Sequence, residues 1–410
     1  MRLLPALALV LGLTACNTQT ATLKTGIWRG VIEMQGQQLP FNFEVRQDSS
    51  GYKVYLKNAG EKLLLDEVSI VGDTVNMVLH IFDAALKAKI NGGELSGYFV
   101  KNFEKNYRLP FHATWGDDFR FKKVSDHTSV DFSGKYAVKF IFGKDTTSSV
   151  GIFRQKGSYV EGTFLNMDGD YRYLEGNVVD GKMMLSTFDG HHAYIFSATK
   201  INKTTLTGDY WSGKAHHETW VGVENENAEP PDGESLTYLK KGYKKIEFSF
   251  PDITGNKISP SDERFRNKVL ILQLFGTWCP NCMDETKFLS PWYDQNKNRG
   301  VEILGLAYEQ KDDFDYASGR IRKMIKKLGV NYDFVVAGSQ DKKKASKTLP
   351  ALNKVVAFPT TIFIGKDGKV KRIHTGFSGP GTGIYYDQFI QYFNETVNEL
   401  LSEKLTSPKQ

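Results

Sequence analysis

Val269-Leu270-Ile271-Leu272-Gln273-Leu274-Phe275 is a nearly unbroken apolar run. A strand with one wet face alternates apolar and polar residues. A continuous run marks a strand covered on both sides, as in sheets whose parallel strands are joined by helices. Immediately after it, Cys279-Pro280-Asn281-Cys282 opens a segment that reads as a helix to about Asn296. The pattern then continues as strand 301–308, helix 315–328, strand 332–336 and a short helix near 343–352. Strand 360–364 and strand 369–374 follow, joined by the turn Lys366-Asp367-Gly368. A last amphipathic helix, about 385–401, carries Phe389, Phe393, Val397, Leu400 and Leu401 at helical spacing. This order predicts an α/β domain over 237–405.

The N-terminal half has a different period. Phe41–Val45, Tyr52–Leu56 and Val75–Leu79 alternate apolar and polar residues, and turn clusters such as Asp48-Ser49-Ser50-Gly51 and Asn91-Gly92-Gly93 separate such runs. Short alternating strands at regular spacing predict antiparallel meanders in a barrel or sandwich. Gly26-Ile27-Trp28 recurs as Gly134-Lys135-Tyr136, Phe82-Asp83 as Phe188-Asp189, and Leu95-Ser96-Gly97-Tyr98 as Leu206-Thr207-Gly208-Asp209-Tyr210. We therefore expect two similar antiparallel β units, 25–121 and 130–223. Residues 224–236, rich in Glu, Asn, Pro and Gly, read as an exposed linker.

At the N-terminus, Arg2 precedes an apolar stretch, Leu3–Leu13, too short to span a bilayer. Leu13-Thr14-Ala15-Cys16 resembles the lipobox of bacterial lipoproteins. The resemblance implies a signal peptide over 1–15, lipidation of Cys16 and a tether over 16–24. Acyl chains on Cys16 would anchor the protein on a membrane rather than through it. Asn17 rather than Asp after the cysteine is compatible with the outer membrane more than the inner. The expected location is the bacterial envelope, lipid-anchored and facing the periplasm.

The three cysteines are Cys16, Cys279 and Cys282. An exported chain with no others has no disulfide framework, so the close pair reads as a redox centre. Structural zinc needs two further ligands, and no second Cys-x-x-Cys or His-x-x-x-His is present. His191-His192 and His216-His217 are candidate metal ligands, but on a strand neighbouring side chains face opposite ways, so only one of each pair could ligate and no metal site is expected. At a helix start, the dipole and free N–H groups stabilise a thiolate on Cys279, while Cys282 lies one turn in. Pro280 fits the first helical position, where a missing N–H costs nothing. The net charge of +6 is scattered among 53 Lys and Arg and 47 Asp and Glu, with no basic stripe, so nucleic acid is not expected as a partner.

Gly276-Thr277-Trp278-Cys279-Pro280-Asn281-Cys282-Met283-Asp284-Glu285 resembles the active-site signature of the TlpA/ResA-like thiol–disulfide oxidoreductases of the thioredoxin superfamily. The likeness spans about 246–402 and leaves the β units uncovered. It implies a thioredoxin fold, no cofactor, protein thiols and disulfides as substrates, and an envelope electron donor. It also implies that Cys279 attacks, Cys282 resolves and Glu285 tunes thiol ionisation, with Trp278 and Asn281 flanking the sulfurs. Phe358-Pro359-Thr360 matches the loop that carries a cis proline beside the disulfide, and Gly376 a point of close approach. Gln273 stands where thioredoxin has a buried Asp, so proton transfer to Cys282 would need another group, Glu285 or water. His374 is expected on the hairpin surface. Two other readings stay open. One is a thiol peroxidase, whose Pro-x-x-x-Thr approach Gly276-Thr277-Trp278 does not resemble. The other is an adaptor whose β units carry the function.

Overall fold

The computed structural model describes residues 21–123 and 128–404. The segment 1–15, Cys16 and the start of the tether lie outside them.

Nine antiparallel strands form the first β unit: β1 (Gly26–Met34), β2 (Gln37–Asp48), β3 (Gly51–Asn58), β4 (Glu61–Leu64), β5 (Glu67–Val71), β6 (Thr74–Leu79), β7 (Ala84–Asn91), β8 (Glu94–Lys101) and β9 (Tyr107–Trp115). The sheet order is β4-β3-β2-β1-β9-β8-β7-β6-β5, so the meander is joined through β1 and β9 and stays open between β4 and β5.

The second unit repeats this plan with β10 (Gly134–Phe142), β11 (Asp145–Lys156), β12 (Tyr159–Asn166), β13 (Gly169–Asp170), β14 (Leu174–Val179), β15 (Lys182–Phe188), β16 (Ala193–Lys200), β17 (Thr205–Ser212) and β18 (His216–Glu224). Its first and last long strands also pair, and β11–β12 pairing closes the ring into a barrel, with β13 appended to β12. Aromatic side chains fill the barrel: Tyr136, Phe140, Phe153, Phe164, Phe196 and Trp220 are all buried. A small barrel has no lumen once such rings interdigitate. The repeat motifs occupy matching places, with Trp28 in β1 and Tyr136 in β10 both fully buried.

The segment 224–236 is exposed along most of its length but is docked at a few points. Ala228 is buried with Val150, Leu165 and Tyr385, and a short helix α1 (Gly233–Leu236) packs beside the C-terminal hairpin. Glu234 accepts a hydrogen bond from the Tyr392 hydroxyl at 2.5 Å. Composition marks a segment as polar, but here turns and a small side chain let it touch neighbouring surfaces at those points.

Beyond it, a two-strand ladder, β19 (Phe250–Pro251) with β20 (Lys257–Ile258), precedes β21 (Val269–Phe275). Helix α2 (Pro280–Asn296), β22 (Val301–Glu309), α3 (Phe314–Leu328), β23 (Asp333–Ser339) and α4 (Lys342–Thr348) follow. Then come β24 (Thr360–Ile364), β25 (Val370–Thr375) and α5 (Ile384–Ser402). The sheet order is β23-β22-β21-β24-β25, parallel across the first three strands and antiparallel beyond β21. Every residue of β21 is buried. This is the thioredoxin fold.

The three bodies pack closely. In β21's domain, Arg320 of α3 donates to the Ile81 carbonyl and pairs with Asp83 at 3.6 Å. Between the β units, the Phe41 and Phe188 rings lie 4.6 Å apart, and Asn58 donates to the Phe188 carbonyl at 3.0 Å. Both Phe-Asp pairs of the repeat thus sit at interfaces. No helix among the described residues is long and apolar enough to cross a membrane.

Candidate redox site

The C-terminal end of β21 leads through Gly276, Thr277 and Trp278 to the start of α2. Glu309, at the end of β22, accepts the Thr277 N–H at 2.8 Å and its hydroxyl at 2.9 Å. Trp278 Nε1 donates to the Tyr308 carbonyl at 2.9 Å, and its ring meets Phe358 edge-on at 6.0 Å. Two neighbouring strand residues therefore pin the turn before the cysteines.

Cys279 is the N-cap of α2, with Pro280 at the first helical position. Cys279 and Cys282 are joined in a disulfide. The Cys282 N–H donates to Cys279 Sγ at 3.1 Å. After reduction, the same N–H and the helix dipole would favour a thiolate there. Cys282 is fully buried, while Cys279 retains 6% exposure. The Phe358 carbonyl oxygen lies 3.5 Å from Cys279 Sγ, and the Phe358–Pro359 bond is cis. Gly376 has φ +84° and its N–H donates to the Pro359 carbonyl at 2.9 Å.

Glu285, one turn beyond Cys282, is completely buried. Its carboxylate accepts from Thr361 Oγ1 at 2.5 Å and Gln273 Nε2 at 2.8 Å. Burial pushes its pKa up to about 7, against the pull of those two donors. Gln273 Oε1 accepts from the Tyr332 hydroxyl at 3.1 Å, and its amide reaches the Cys282 carbonyl at 3.5 Å. Glu309 is likewise raised by burial, offset by its bonds to Thr277.

Several placements differ from the expectations. His374 is half-buried rather than free on the hairpin surface: its ring packs against Phe389 and Tyr392 of α5, and burial lowers its pKa. His191 and His192 lie in the turn between β15 and β16, not on a strand. His191 sits 5.9 Å from the Trp278 ring, and burial lowers its pKa well below the ordinary value. His192 Nδ1 lies 3.0 Å from Asp189 Oδ2. His216 and His217 begin β18, are exposed, and pair with Glu218 and Asp209.

The residues missed in the sequence come from the barrel. Asn281 Nδ2 donates to the Asp170 carbonyl at 2.9 Å. Arg172, 3% exposed, bonds Asp284 of α2 and Glu61 of β4 and lies 3.4 Å from Asp189. Desolvation opposes its charge, but Asp284, Glu61 and Asp189 hold its pKa well above the usual value. The Asp168-Gly169-Asp170-Tyr171-Arg172 stretch looks like any polar turn, so only an excess of charge in a short segment could have drawn notice.

The AhpC/TSA family matches residues 242–373. The thiol–disulfide oxidoreductase ResA of Geobacillus kaustophilus is 30% identical over 140 residues, covering 34% of this chain and 72% of that protein. ResA of Bacillus subtilis is 27% identical over 138 residues, covering 34% and 69%. A solved thiol-disulfide oxidoreductase from Bacteroides fragilis overlays 36% of this chain and 99% of its own, at 26% identity and a TM-score of 0.27. With its buried strand, Cys-x-x-Cys helix and hairpin in thioredoxin order, the chain belongs to the ResA/TlpA-like thiol–disulfide oxidoreductases of the thioredoxin superfamily.

Proposed function

We propose that the protein reduces protein disulfides in the bacterial cell envelope, held on a membrane by lipid on Cys16 and recharged by an envelope electron donor. The observation that carries the redox reading is the Cys279–Cys282 pair at the start of α2, with the Cys282 N–H already on Cys279 Sγ. In the reduced enzyme, the Cys279 thiolate attacks one sulfur of a substrate disulfide. A mixed disulfide forms and the other substrate sulfur leaves as a thiolate. Cys282 loses its proton and displaces the remaining substrate thiolate, so the Cys279–Cys282 bond closes. Two electrons pass from the enzyme to the substrate, and its two thiolates take up protons from the medium. The donor then reverses the sequence.

Glu285 is suited to hold the proton that Cys282 must lose, because a carboxyl with a pKa of about 7 exchanges protons at neutral pH. Gln273 links it to the Cys282 backbone. Trp278, Pro280, Asn281, Phe358 and Pro359 would shape the surface around the sulfurs. The envelope location is supported by the N-terminal Leu13-Thr14-Ala15-Cys16 pattern.

Replacing Cys282 with Ser removes the resolving thiol, so substrates should accumulate as disulfides on Cys279. Non-reducing gels of cells carrying C282S should show adducts that vanish on reduction and are missing from the C279S/C282S double variant. The absence of any adduct would defeat the proposal. Turnover of a hydroperoxide would instead favour the peroxidase reading. The anchor has its own test: C16S should leave the membrane fraction for the soluble one.

A further inference from the structure

The segment 167–173, which includes β13, stays paired to β12 of the barrel and borders the same cleft as Cys279. Besides the Asn281 bond, Asp170 Oδ2 accepts the Gly379 N–H at 2.6 Å, and Asp168 pairs with Lys342 of α4 at 3.3 Å. The fit is tight. A Cβ on Gly169 would stand 2.6 Å from Asn281 Nδ2 and 2.8 Å from the Phe377 carbonyl oxygen. One on Gly376 would meet the Met167 carbonyl at 3.1 Å. The segment thus touches the helix start, the loop after β25 and the start of α4, three elements that frame the sulfurs.

Between barrel and disulfide remains a cleft of about 350 Å³. Tyr171, Tyr194, Tyr210 and His192 form one side, opposite Cys279 and Phe358. The three tyrosine rings lie edge-to-face, 5.4 to 5.6 Å apart, so this wall is rigid as well as aromatic.

We propose that the second β unit is half of the substrate site. The cleft takes an extended, unfolded cysteine-bearing segment with an aromatic or aliphatic side chain beside the cysteine. It excludes disulfides displayed on folded domains. This rests on the exchange reading above. Cys279 borders the cleft and is nearly covered. The cleft volume is at the low end of pockets that enclose small molecules, whereas docking a folded partner typically needs about 800 Å² on each side. Tyrosine faces hold an apolar side chain at little conformational cost. The Asp168–Lys342 pair at the rim is about half exposed on both sides, so it yields readily to an entering chain.

The test uses the full chain, reduced beforehand, in single-turnover oxidation. One probe is a short cystine peptide with Phe beside each cysteine. The second is the same peptide with Ser in place of Phe. The third is the Phe sequence and its disulfide displayed on a loop of a folded domain. All three are matched for reactivity with dithiothreitol. The Phe peptide should react about tenfold faster than either other probe, as one aromatic contact and a steric barrier would give. Tyr171→Ala should slow the Phe peptide, and Gly169→Ala, by prising the segment off Asn281, should speed the folded probe. Equal rates for the three probes with wild type would overturn the proposal and leave the exchange reading standing, without any variant having to fold. Failure to react with any of them would overturn both.

Discussion

Gln273 and Glu285 form a buried polar pair where α2 packs on β21, and their consequence is electrostatic. Glu285 has a pKa of about 7 in the folded chain against an ordinary 4.5. Between those values the native state keeps a proton that the unfolded chain releases. Stability from this group is therefore complete below pH 4.5 and is lost as pH rises through 7, a change of roughly 3 kcal/mol. Glu285→Gln abolishes the titration. It should flatten the dependence of the urea midpoint on pH between 5 and 8. At pH 5, where Glu285 is itself protonated, the amide should stand in for the neutral acid between Thr361 and Gln273 and change stability little. If Glu285 also handles the Cys282 proton, resolution of a mixed disulfide by E285Q should lose its pH dependence near 7, measured by stopped-flow tryptophan fluorescence. The two cysteines were legible in the sequence because spacing and chain context together mark them. The burial of Glu285 was not, because a glutamate in the second turn of a helix is equally compatible with solvent.

The start of α2 is held by a side-chain bond from the next strand. Thr277 gives both its N–H and its hydroxyl to Glu309, which is fully buried. Thr277→Val keeps the shape but leaves one buried carboxylate oxygen without its donor, which should cost about 1–3 kcal/mol. Chemical denaturation of the reduced and oxidised forms checks this. A loss confined to one redox state would instead mean that the pin acts on the disulfide. At this scale, β21, α2 and β24 have the bounds that their composition predicts. Apolar runs and helix-start residues act locally. The segment 167–173 is the contrary case. Its polar residues are satisfied by Asn281, Asp284, Lys342 and Gly379, more than a hundred positions away in the chain, so no local pattern announces its role.

For the molecule as a whole, Arg172 joins three bodies. It meets Glu61 from the first β unit, Asp189 from its own barrel and Asp284 from the thioredoxin domain, all out of solvent. Burying such charges is expensive, and removing one partner strands the others. Arg172→Met should therefore destabilise by about 3–5 kcal/mol. Calorimetry should then resolve separate transitions for barrel and thioredoxin domain, where a single transition is expected of the wild type. A single unshifted transition would mean that the apolar contacts around Phe41 and Phe188 do the coupling. Asp170, pushed up to about 6 by burial, sits in the same interface and accepts the Gly379 N–H. Its raised pKa means that the folded state is favoured below its ordinary value and loses that stability as pH passes 6.

What the sequence determined alone is what depends on near neighbours: the switch from alternating to continuous apolar runs, the two β repeats, and a cysteine pair set at a helix start. These follow from periodicity and from residue spacing along one element, which the chain carries wherever it goes. Tertiary structure decided that the second meander closes and the first does not, that the polar segment after β18 docks at a few points, and that the barrel borders the cleft at Cys279. Each of these depends on which distant groups satisfy a buried charge or fill an apolar face, and those partners meet only when the chain is folded.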